Sequence, residues 1–203
     1  MTLEIRISKE LVPYKTAFEF LKKRVDSIKK HKSRDLLWIL EHPLTFTSGL
    51  RSKENEILDK KIKIIKTNRG GKITLHNPGQ KIIYFAIDLN KRKKDIRNLV
   101  NHVENSIIEF LALYKIDGRA DKDNIGIWVG KKKIAAIGIR VTNWIAYHGC
   151  SINISNVLSP YKKIIPCGID NSKVTSVKNE TKIVVKNIEK KLKKIFLKNL
   201  RNI

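Results

Sequence analysis

The segment Ile165-Pro166-Cys167-Gly168 contains the thiol whose setting is most typical of covalent chemistry. Proline before and glycine after a residue favour a bent, loop-like backbone, which projects the side chain out of a sheet interior. A thiol becomes a nucleophile when it loses its proton, and a neighbouring cationic or basic group lowers its ordinary pKa of about 8.5 or accepts that proton. A lysine brought close by the fold does both. From the residue alone, an inert buried cysteine remains the alternative.

A second unusual stretch runs from Arg69 to Gln80 and places two glycines and a Pro-Gly pair around an arginine, a threonine and a histidine. Paired glycines let the backbone approach a ligand closely. A hairpin with a Pro-Gly turn and a surface arginine is the alternative. The stretch lacks the Gly-Lys-Ser/Thr ending of a Walker-type phosphate loop. His76 has no second histidine, cysteine or acid at zinc-like spacing, so we expect no metal site.

The segment Lys133 to Ile139 has the pattern of a strand with small residues in its middle. Small side chains along a strand leave space for a slender ligand such as an acyl chain, although sheet packing alone can also require them. Lys133 stands beside Lys131 and Lys132, so composition does not distinguish it from a surface lysine.

The bulk composition indicates one domain spanning residues 1–203, with its core over about 30–203, because 203 residues with 41% apolar content suffice for one well-formed core. The chain shows no long apolar run and no basic-then-apolar N-terminal pattern, which predicts a cytoplasmic protein without stable membrane insertion. In a reducing compartment the two cysteines are expected to be free thiols.

The formal net charge is +24 and the calculated pI is about 10.1. A charge of this size raises nucleic acid as a partner, and a basic nucleic-acid-binding protein is one competing hypothesis. The lysines are spread over most segments, however, which indicates a compositional bias rather than a selected patch. We therefore expect no nucleic-acid partner, and we expect the charge to speed encounter with acidic proteins.

The order of predicted helices and strands along the chain indicates an α+β fold with a mixed, largely antiparallel sheet flanked by helices. This fold must position the candidate site residues. Apolar residues at helical spacing predict helices over Tyr14 to Lys30, over Asp95 to Lys115 and from Thr181 onward. The last helix is basic, and we expect it to be a solvated helix that docks on the sheet; a membrane or nucleic-acid element is the alternative. Short apolar or alternating runs predict strands over the following segments: Asp35 to Glu41, Lys61 to Lys66, Lys81 to Asp88, Ile125 to Val129, Lys133 to Arg140, Thr142 to His148 and Cys150 to Ser155.

Four blocks in this order resemble the lipoyl(octanoyl) transferase family: the Arg-Gly-Gly-x-x-Thr-x-His-x-Pro-Gly-Gln block, the Lys133 to Gly138 strand, His148-Gly149 and Pro166-Cys167-Gly168. The resemblance runs from about Glu41-His42-Pro43 to Cys167. It implies the fold shared with lipoate- and biotin-protein ligases. It also implies an acyltransferase that moves an octanoyl group from the phosphopantetheine of acyl carrier protein to a lysine of lipoyl domains.

The resemblance also implies residue roles. Cys167 takes the position of the acyl thioester, and Lys133 that of the lysine which lowers the pKa of the cysteine. Three segments match the substrate-binding parts of the family: Arg69, Gly70, Gly71, Lys72, Ile73, Thr74, Leu75 and His76; Ala136, Ile137 and Gly138; His148, Gly149 and Cys150. No cofactor is implied beyond the phosphopantetheine of the donor. The implied acceptors are the lipoyl domains of 2-oxoacid dehydrogenase complexes and the glycine cleavage H protein.

Three positions depart from the family pattern. Leu75 stands where an aromatic residue is usual, Asn77 where glycine is common, and Cys150 where an apolar residue is usual. We expect these departures to affect the pocket wall or the preferred chain length and not the chemistry. A lipoate-protein ligase is the competing hypothesis within the same fold, since it has an Arg-Gly-Gly-type block but activates a free acid with ATP and needs no cysteine.

Overall fold

The computed structural model describes residues 3–166 and 173–203. The strands are β1 Glu4–Ile7, β2 Leu36–Leu40, β3 Thr45–Ser48, β4 Ile64–Lys66, β5 Thr74–His76, β6 Gln80–Asp88, β7 Arg119–Ala120, β8 Gly126–Val129, β9 Lys132–Thr142 and β10 Ile145–Asn153. The α-helices are α1 Tyr14–Lys29, α2 Ile96–Ala112, α3 Val177–Glu180 and α4 Ile188–Leu200. Short 3-10 helices cover Glu54–Glu56, Leu89–Lys91 and Ser159–Lys163.

The larger sheet has seven strands in the order β1-β2-β6-β10-β9-β8-β7. Within it β1 pairs with β2 in parallel, and the other pairs are antiparallel. The smaller sheet has the order β4-β3-β5, with one parallel and one antiparallel pair. The expectation of an α+β fold with a mixed, largely antiparallel sheet flanked by helices is therefore confirmed.

Both faces of the larger sheet are covered, because side chains alternate between the two faces along each strand. In β2, Leu36, Trp38 and Leu40 pack with α1 in one apolar cluster. Leu37 and Ile39 belong to a second cluster, which also contains residues of α2 and α4. The docking of α4 in this cluster agrees with the interpretation of the C-terminal basic helix as an element packed on the sheet.

The two sheets meet at the turn between β5 and β6. The Gln80 amide donates to the Asn77 carbonyl over 3.1 Å, so the Pro-Gly turn expected for a hairpin is present. The strands on its two sides nevertheless belong to different sheets, since β5 pairs with β3 and β6 with β10 and β2. The amide of Gly79 donates to the Glu41 carboxylate over 2.6 Å, and its carbonyl accepts from Ser155 over 3.0 Å. This turn therefore connects the smaller sheet to the larger one, and its hydrogen bonds tie it to the ends of β2 and β10.

Several predicted boundaries are wrong. The last helix begins at Ile188 rather than Thr181, after a left-handed backbone at Asn187 with a φ of 54°. The two strands expected on either side of Gly149 form one continuous strand, because β10 is paired along its length with β6 and β9. Within the described residues, no helix combines the length and apolar content needed to cross a bilayer.

Candidate active site

A cavity lies between the larger sheet and the smaller sheet and encloses about 460 Å³, part of it open to solvent. Its lining consists of the following residues: Arg69, Gly71, Lys72, Thr74, His76, Ile82, Tyr84, Ala136, Ile137, Gly138, His148, Gly149, Cys150 and Ser151. Eleven of the fourteen predicted substrate-binding residues are therefore brought together, and the exceptions are Gly70, Ile73 and Leu75.

Arg69 fastens the glycine loop to the smaller sheet. Its guanidinium donates to the backbone carbonyl and the hydroxyl of Thr47, each over 2.9 Å, and to the Gly70 carbonyl over 3.0 Å. The side chain is buried, and no ion pair to it occurs among the described residues. The hairpin alternative predicted a surface arginine, whereas Arg69 is buried. It holds the glycine loop that covers the cavity, and it places a positive charge next to the cavity.

Backbone contact between this loop and β9 explains the small residues of the strand. A methyl group at Gly70 would lie 2.8 Å from the Ile139 carbonyl oxygen, and one at Gly138 would lie 3.2 Å from the Gly70 carbonyl oxygen. The two glycines therefore let the loop lie directly on the strand. At Gly138 the small residue serves packing of the loop as well as the shape of the cavity.

Lys133 lines a smaller adjoining cavity, which shares Thr74, Ala136 and Ser151 with the first. Its Nζ donates to the Ile125 carbonyl over 2.8 Å and lies 5.3 Å from the Trp128 ring centroid. The residue is only 7% exposed, so it is not one of the surface lysines beside it in sequence.

Gly126 makes room for the Lys133 side chain. Its φ is 145°, a region that only glycine adopts freely. A methyl group there would lie 3.0 Å from the Lys133 Nζ and 2.6 Å from the Ala135 carbonyl oxygen. Sequence reasoning missed this residue, because a single glycine at the start of a strand gives no signal of the partner it accommodates.

Cys167 and Gly168 lie outside the described residues, so the predicted nucleophile remains a prediction. Both described flanks of that segment lie near Lys133. Pro166 lines the same small cavity, and the Thr175 amide donates to the Lys133 carbonyl over 2.9 Å beside a parallel bridge between Lys133 and Val174. The last described residue before this segment and the first residues after it thus both lie next to the predicted catalytic lysine.

Cys150 differs from a reactive thiol in every respect that the structure reports. It borders the cavity, but its side chain packs in the apolar cluster that includes α2 and is 4% exposed. Burial raises the pKa of this thiol far above its usual value, since the thiolate would lose its hydration. Of the other two departures, Leu75 packs in the core of the smaller sheet, and the Asn77 amide donates to the Val157 carbonyl over 2.8 Å.

Histidines and tyrosines form a buried cluster at one end of the cavity. The His42 ring lies 5.1 Å from the Tyr14 ring and 5.5 Å from the His76 ring, measured between centroids. The Nδ1 of His42 lies 2.5 Å from the Val12 carbonyl oxygen and therefore carries the proton, so Nε2 accepts from the Tyr84 hydroxyl over 2.9 Å. Sequence reasoning missed Tyr14 and Tyr84 as neighbours of the site, because one lies on the first helix and the other inside a continuous apolar strand.

Burial keeps these histidines neutral. It lowers the pKa of His42 to about 4 and that of His148 to about 3, with Arg69 and Arg140 contributing further at His148. The pKa of His76 is also held well below its usual value, first by burial and then by the neighbouring His42. These rings therefore act as hydrogen-bonding groups and not as cations.

Ile73 belongs to the same apolar cluster as Leu75, away from the cavity lining. Sequence reasoning also missed Ile82 and Ser151, which do line the cavity. The substrate contacts assigned to the predicted residues remain predictions, since the geometry gives their positions and not their ligand.

Comparison with known proteins gives consistent similarities. The model of the lipoyl protein ligase A/B catalytic domain matches residues 13–197. The chain is 41% identical over 202 residues to an octanoyltransferase of Wolbachia sp. subsp. Brugia malayi, covering 97% of this chain and 98% of that one. It is 41% identical over 183 residues to an octanoyltransferase of Anaplasma marginale (strain Florida), covering 87% and 86%.

Among solved structures, a bi-partite lipoate protein ligase from Thermoplasma acidophilum superimposes with a TM-score of 0.73 at 16% identity, covering 98% of this chain and 85% of that one. At this identity the likeness concerns the fold, and it confirms the expected resemblance to lipoate-protein ligases.

Proposed function

The chain belongs to the octanoyltransferases of the lipoyl protein ligase A/B catalytic domain family, and we propose that it transfers an octanoyl group from acyl carrier protein to a lipoyl-domain lysine through a thioester on Cys167. It is an acyltransferase, as its relatives are. The proposed acceptors are the lipoyl domains of 2-oxoacid dehydrogenase complexes and the glycine cleavage H protein. The proposed reaction uses no cofactor beyond the phosphopantetheine of the donor.

The observation that carries the proposal is the position of Lys133 against both flanks of the Cys167 segment. Pro166 and Val174 line the same small cavity as the Lys133 side chain. That cavity adjoins the larger, mostly apolar space between the sheets, and a concave, mostly apolar lining suits an acyl chain. The buried amine of Lys133 thus lies between the flanks of the Cys167 segment and the apolar cavity. This position supports acyl transfer through the Cys167 thiol.

In the first half-reaction, the Cys167 thiolate attacks the carbonyl carbon of the donor thioester. The carbon-sulfur bond to phosphopantetheine then breaks, its thiolate leaves and takes a proton, and the acyl group stays on Cys167. This step is nearly balanced in energy because one thioester replaces another. Lys133 favours the reactive form of the cysteine, since a nearby amine accepts the thiol proton and a nearby ammonium lowers the thiol pKa.

In the second half-reaction, a lysine of the lipoyl domain attacks the acyl-enzyme as a neutral amine. Lys133 accepts the proton that this amine loses and returns a proton to the departing Cys167 thiolate. The amide bond forms as the thioester bond breaks. One group thus serves both steps.

The main test is the mass of the protein after incubation with octanoyl-acyl carrier protein. We expect one octanoyl adduct that hydroxylamine releases and that peptide mapping assigns to Cys167. The Cys167→Ser variant keeps Cys150 as its remaining thiol and should form no thioester adduct. An adduct on Cys150, or none on the unaltered protein, would overturn the proposal, and release of AMP from ATP with free octanoate would indicate a ligase instead.

A further inference from the structure

Trp128 is the cross-strand partner of Lys133, and the ring centroid lies 5.3 Å from the Lys133 Nζ. This distance is within the range of about 6 Å over which a cation is attracted to the face of an aromatic ring. Ile127 pairs with Ala135, so Ile134 has no partner on β8 and the strand pair contains a bulge at this point. Bulges change the direction of nearby side chains and are common next to active sites. The pairing of Trp128 with Lys133 thus lies at an irregular point of the sheet.

The indole N-H of Trp128 supports the backbone that binds the same amine. It donates to the Asn124 carbonyl over 3.0 Å, and the Asn124 amide donates to the Asp121 carboxylate over 2.7 Å. Asn124 is therefore fixed on both sides. The carbonyl of the next residue, Ile125, accepts from the Lys133 Nζ over 2.8 Å. Trp128 thus acts on the amine directly through its ring and indirectly through the backbone of Asn124 and Ile125.

A lysine amine needs such support if it is to transfer protons, because it lies at the end of a flexible four-carbon stem. A general base must be within hydrogen-bond reach of the proton that it takes, and a small displacement lowers the rate. Trp128 is not among the described residues that line either cavity, whereas Lys133 lines the smaller one. The position of Trp128 therefore favours an effect on Lys133 over an effect on a ligand in these cavities.

We propose that Trp128 is a positioning residue of the transfer reaction, which holds the Lys133 amine in place with its ring and with the backbone that its indole N-H fixes. This inference rests on the proposed function. Loss of Trp128 should lower kcat, because the amine then spends less time in the position from which it transfers a proton. The KM for octanoyl-acyl carrier protein should stay the same, since the described lining of both cavities is kept.

The test measures kcat and KM for transfer from octanoyl-acyl carrier protein to a lipoyl domain. In Trp128→Leu, kcat should fall by about 2- to 30-fold at an unchanged KM, the effect expected when one cation-π contact is lost. Trp128→Phe keeps an aromatic face and should recover part of this loss. Trp144→Leu is the matched control, since Trp144 also has a lysine, Lys94, 5.6 Å from its ring centroid, and it should keep the kcat of the unaltered protein.

The same substitution in Lys133→Met separates positioning of the amine from general damage to the fold. Without the amine, Trp128 has nothing to position, so Trp128→Leu should lower the residual single-turnover rate of Lys133→Met no further. A purely structural role would lower the rate by the same factor in both backgrounds, because the effects of independent sites add as free energies.

The outcomes separate this inference from the proposed function. If the unaltered protein transfers octanoyl but Trp128→Leu keeps its kcat, raises KM, or slows Lys133→Met by the same factor, the role of Trp128 is wrong and the function stands. If the unaltered protein transfers no octanoyl, the proposed function fails and the role of Trp128 fails with it. If Trp128→Leu does not fold, Trp128→Phe decides, and it should lower kcat at an unchanged KM in the unaltered background and leave the rate of Lys133→Met as it is.

Discussion

A variant of Lys133 should lose activity without losing much stability, because among the described residues its side chain makes one hydrogen bond and one cation-π contact. Lys133→Met removes one hydrogen bond from a charged group, a contribution of about 1.5–3 kcal/mol, and a cation-π contact of about 0.5–2 kcal/mol. It also removes the cost of burying a cationic group, which is of similar size. We therefore expect the free energy of unfolding to change by less than about 2 kcal/mol.

The same change should remove the group that accepts and returns the proton in the proposed mechanism. General acid-base catalysis contributes about 100- to 10,000-fold, so octanoyl transfer by Lys133→Met should fall by that factor. Lys133→Arg should fall similarly, because a guanidinium stays protonated and because the space beside Gly126 is already tight for an ammonium.

The assay combines urea unfolding with single-turnover transfer from octanoyl-acyl carrier protein to a lipoyl domain. Lys131→Met is the matched control, since Lys131 is an exposed lysine of the same hairpin. The control should keep its stability and its rate. More than a tenth of the normal rate in either Lys133 variant, with the fold intact, would refute the proton-transfer role.

Three further predictions concern stability and thiol reactivity. Gly149→Ala should lower the unfolding free energy in urea by about 3 kcal/mol or more, because the methyl group would overlap the Ile83 carbonyl oxygen at a φ of 152°. Gly130→Ala, with a φ of 54° and no described atom within 4 Å of the new methyl group, should lower it by only about 1–2 kcal/mol, and equal losses would contradict the steric reasoning. Between about pH 6.5 and 4 the unfolded chain binds a proton at His42 that the folded protein does not, so His42 should lower the unfolding free energy by about 1.4 kcal/mol per pH unit as the pH decreases, in addition to the contributions of His76 and His148. The slope of His42→Gln should be smaller by this amount, and an unchanged slope would rule the contribution out. At pH 7.5 iodoacetamide should leave Cys150 unmodified until the protein unfolds, since burial raises its pKa, and alkylation of Cys150 in the folded protein would show that it is accessible.

The long elements were predictable because their patterns are strong. The second helix, expected over Asp95 to Lys115, occupies Ile96–Ala112, with the Asp95 carboxylate accepting from the Asn98 amide as the expected N-cap. The strand expected over Lys81 to Asp88 is present as Gln80–Asp88. In both segments the apolar residues of the local pattern are the ones that the fold buries, so the tertiary contacts favour the same secondary structure as the sequence pattern.

Several short elements were not predictable, since partners distant in sequence define them. Strand β5, Thr74–His76, has three residues and exists through its pairing with β3. The left-handed backbone at His148 lets β10 continue where the sequence suggested a break before Cys150. No local pattern reports such pairing.

The candidate site was predictable as a set of motifs but not as a geometry. The resemblance identified the glycine loop, whereas the roles of its members depend on contacts across the fold. Arg69 fastens the loop to Thr47, and Gly70 lies on the backbone of Ile139. The cluster of His42, Tyr14 and Tyr84 joins residues from separate elements, and no spacing in the sequence relates them.

The turn that joins the two sheets also bears on the thermodynamics of ligand binding. Glu41 holds one side of Gly79, Ser155 holds the other, and Glu41 also pairs with Lys81, which in turn pairs with Glu189 at the start of α4. The walls of the cavity are thus tied together before any acyl chain arrives. An apolar ligand that enters such a preformed slot orders little of the protein, so its binding should show a negative heat-capacity change with a favourable enthalpy and only a small cost in conformational entropy.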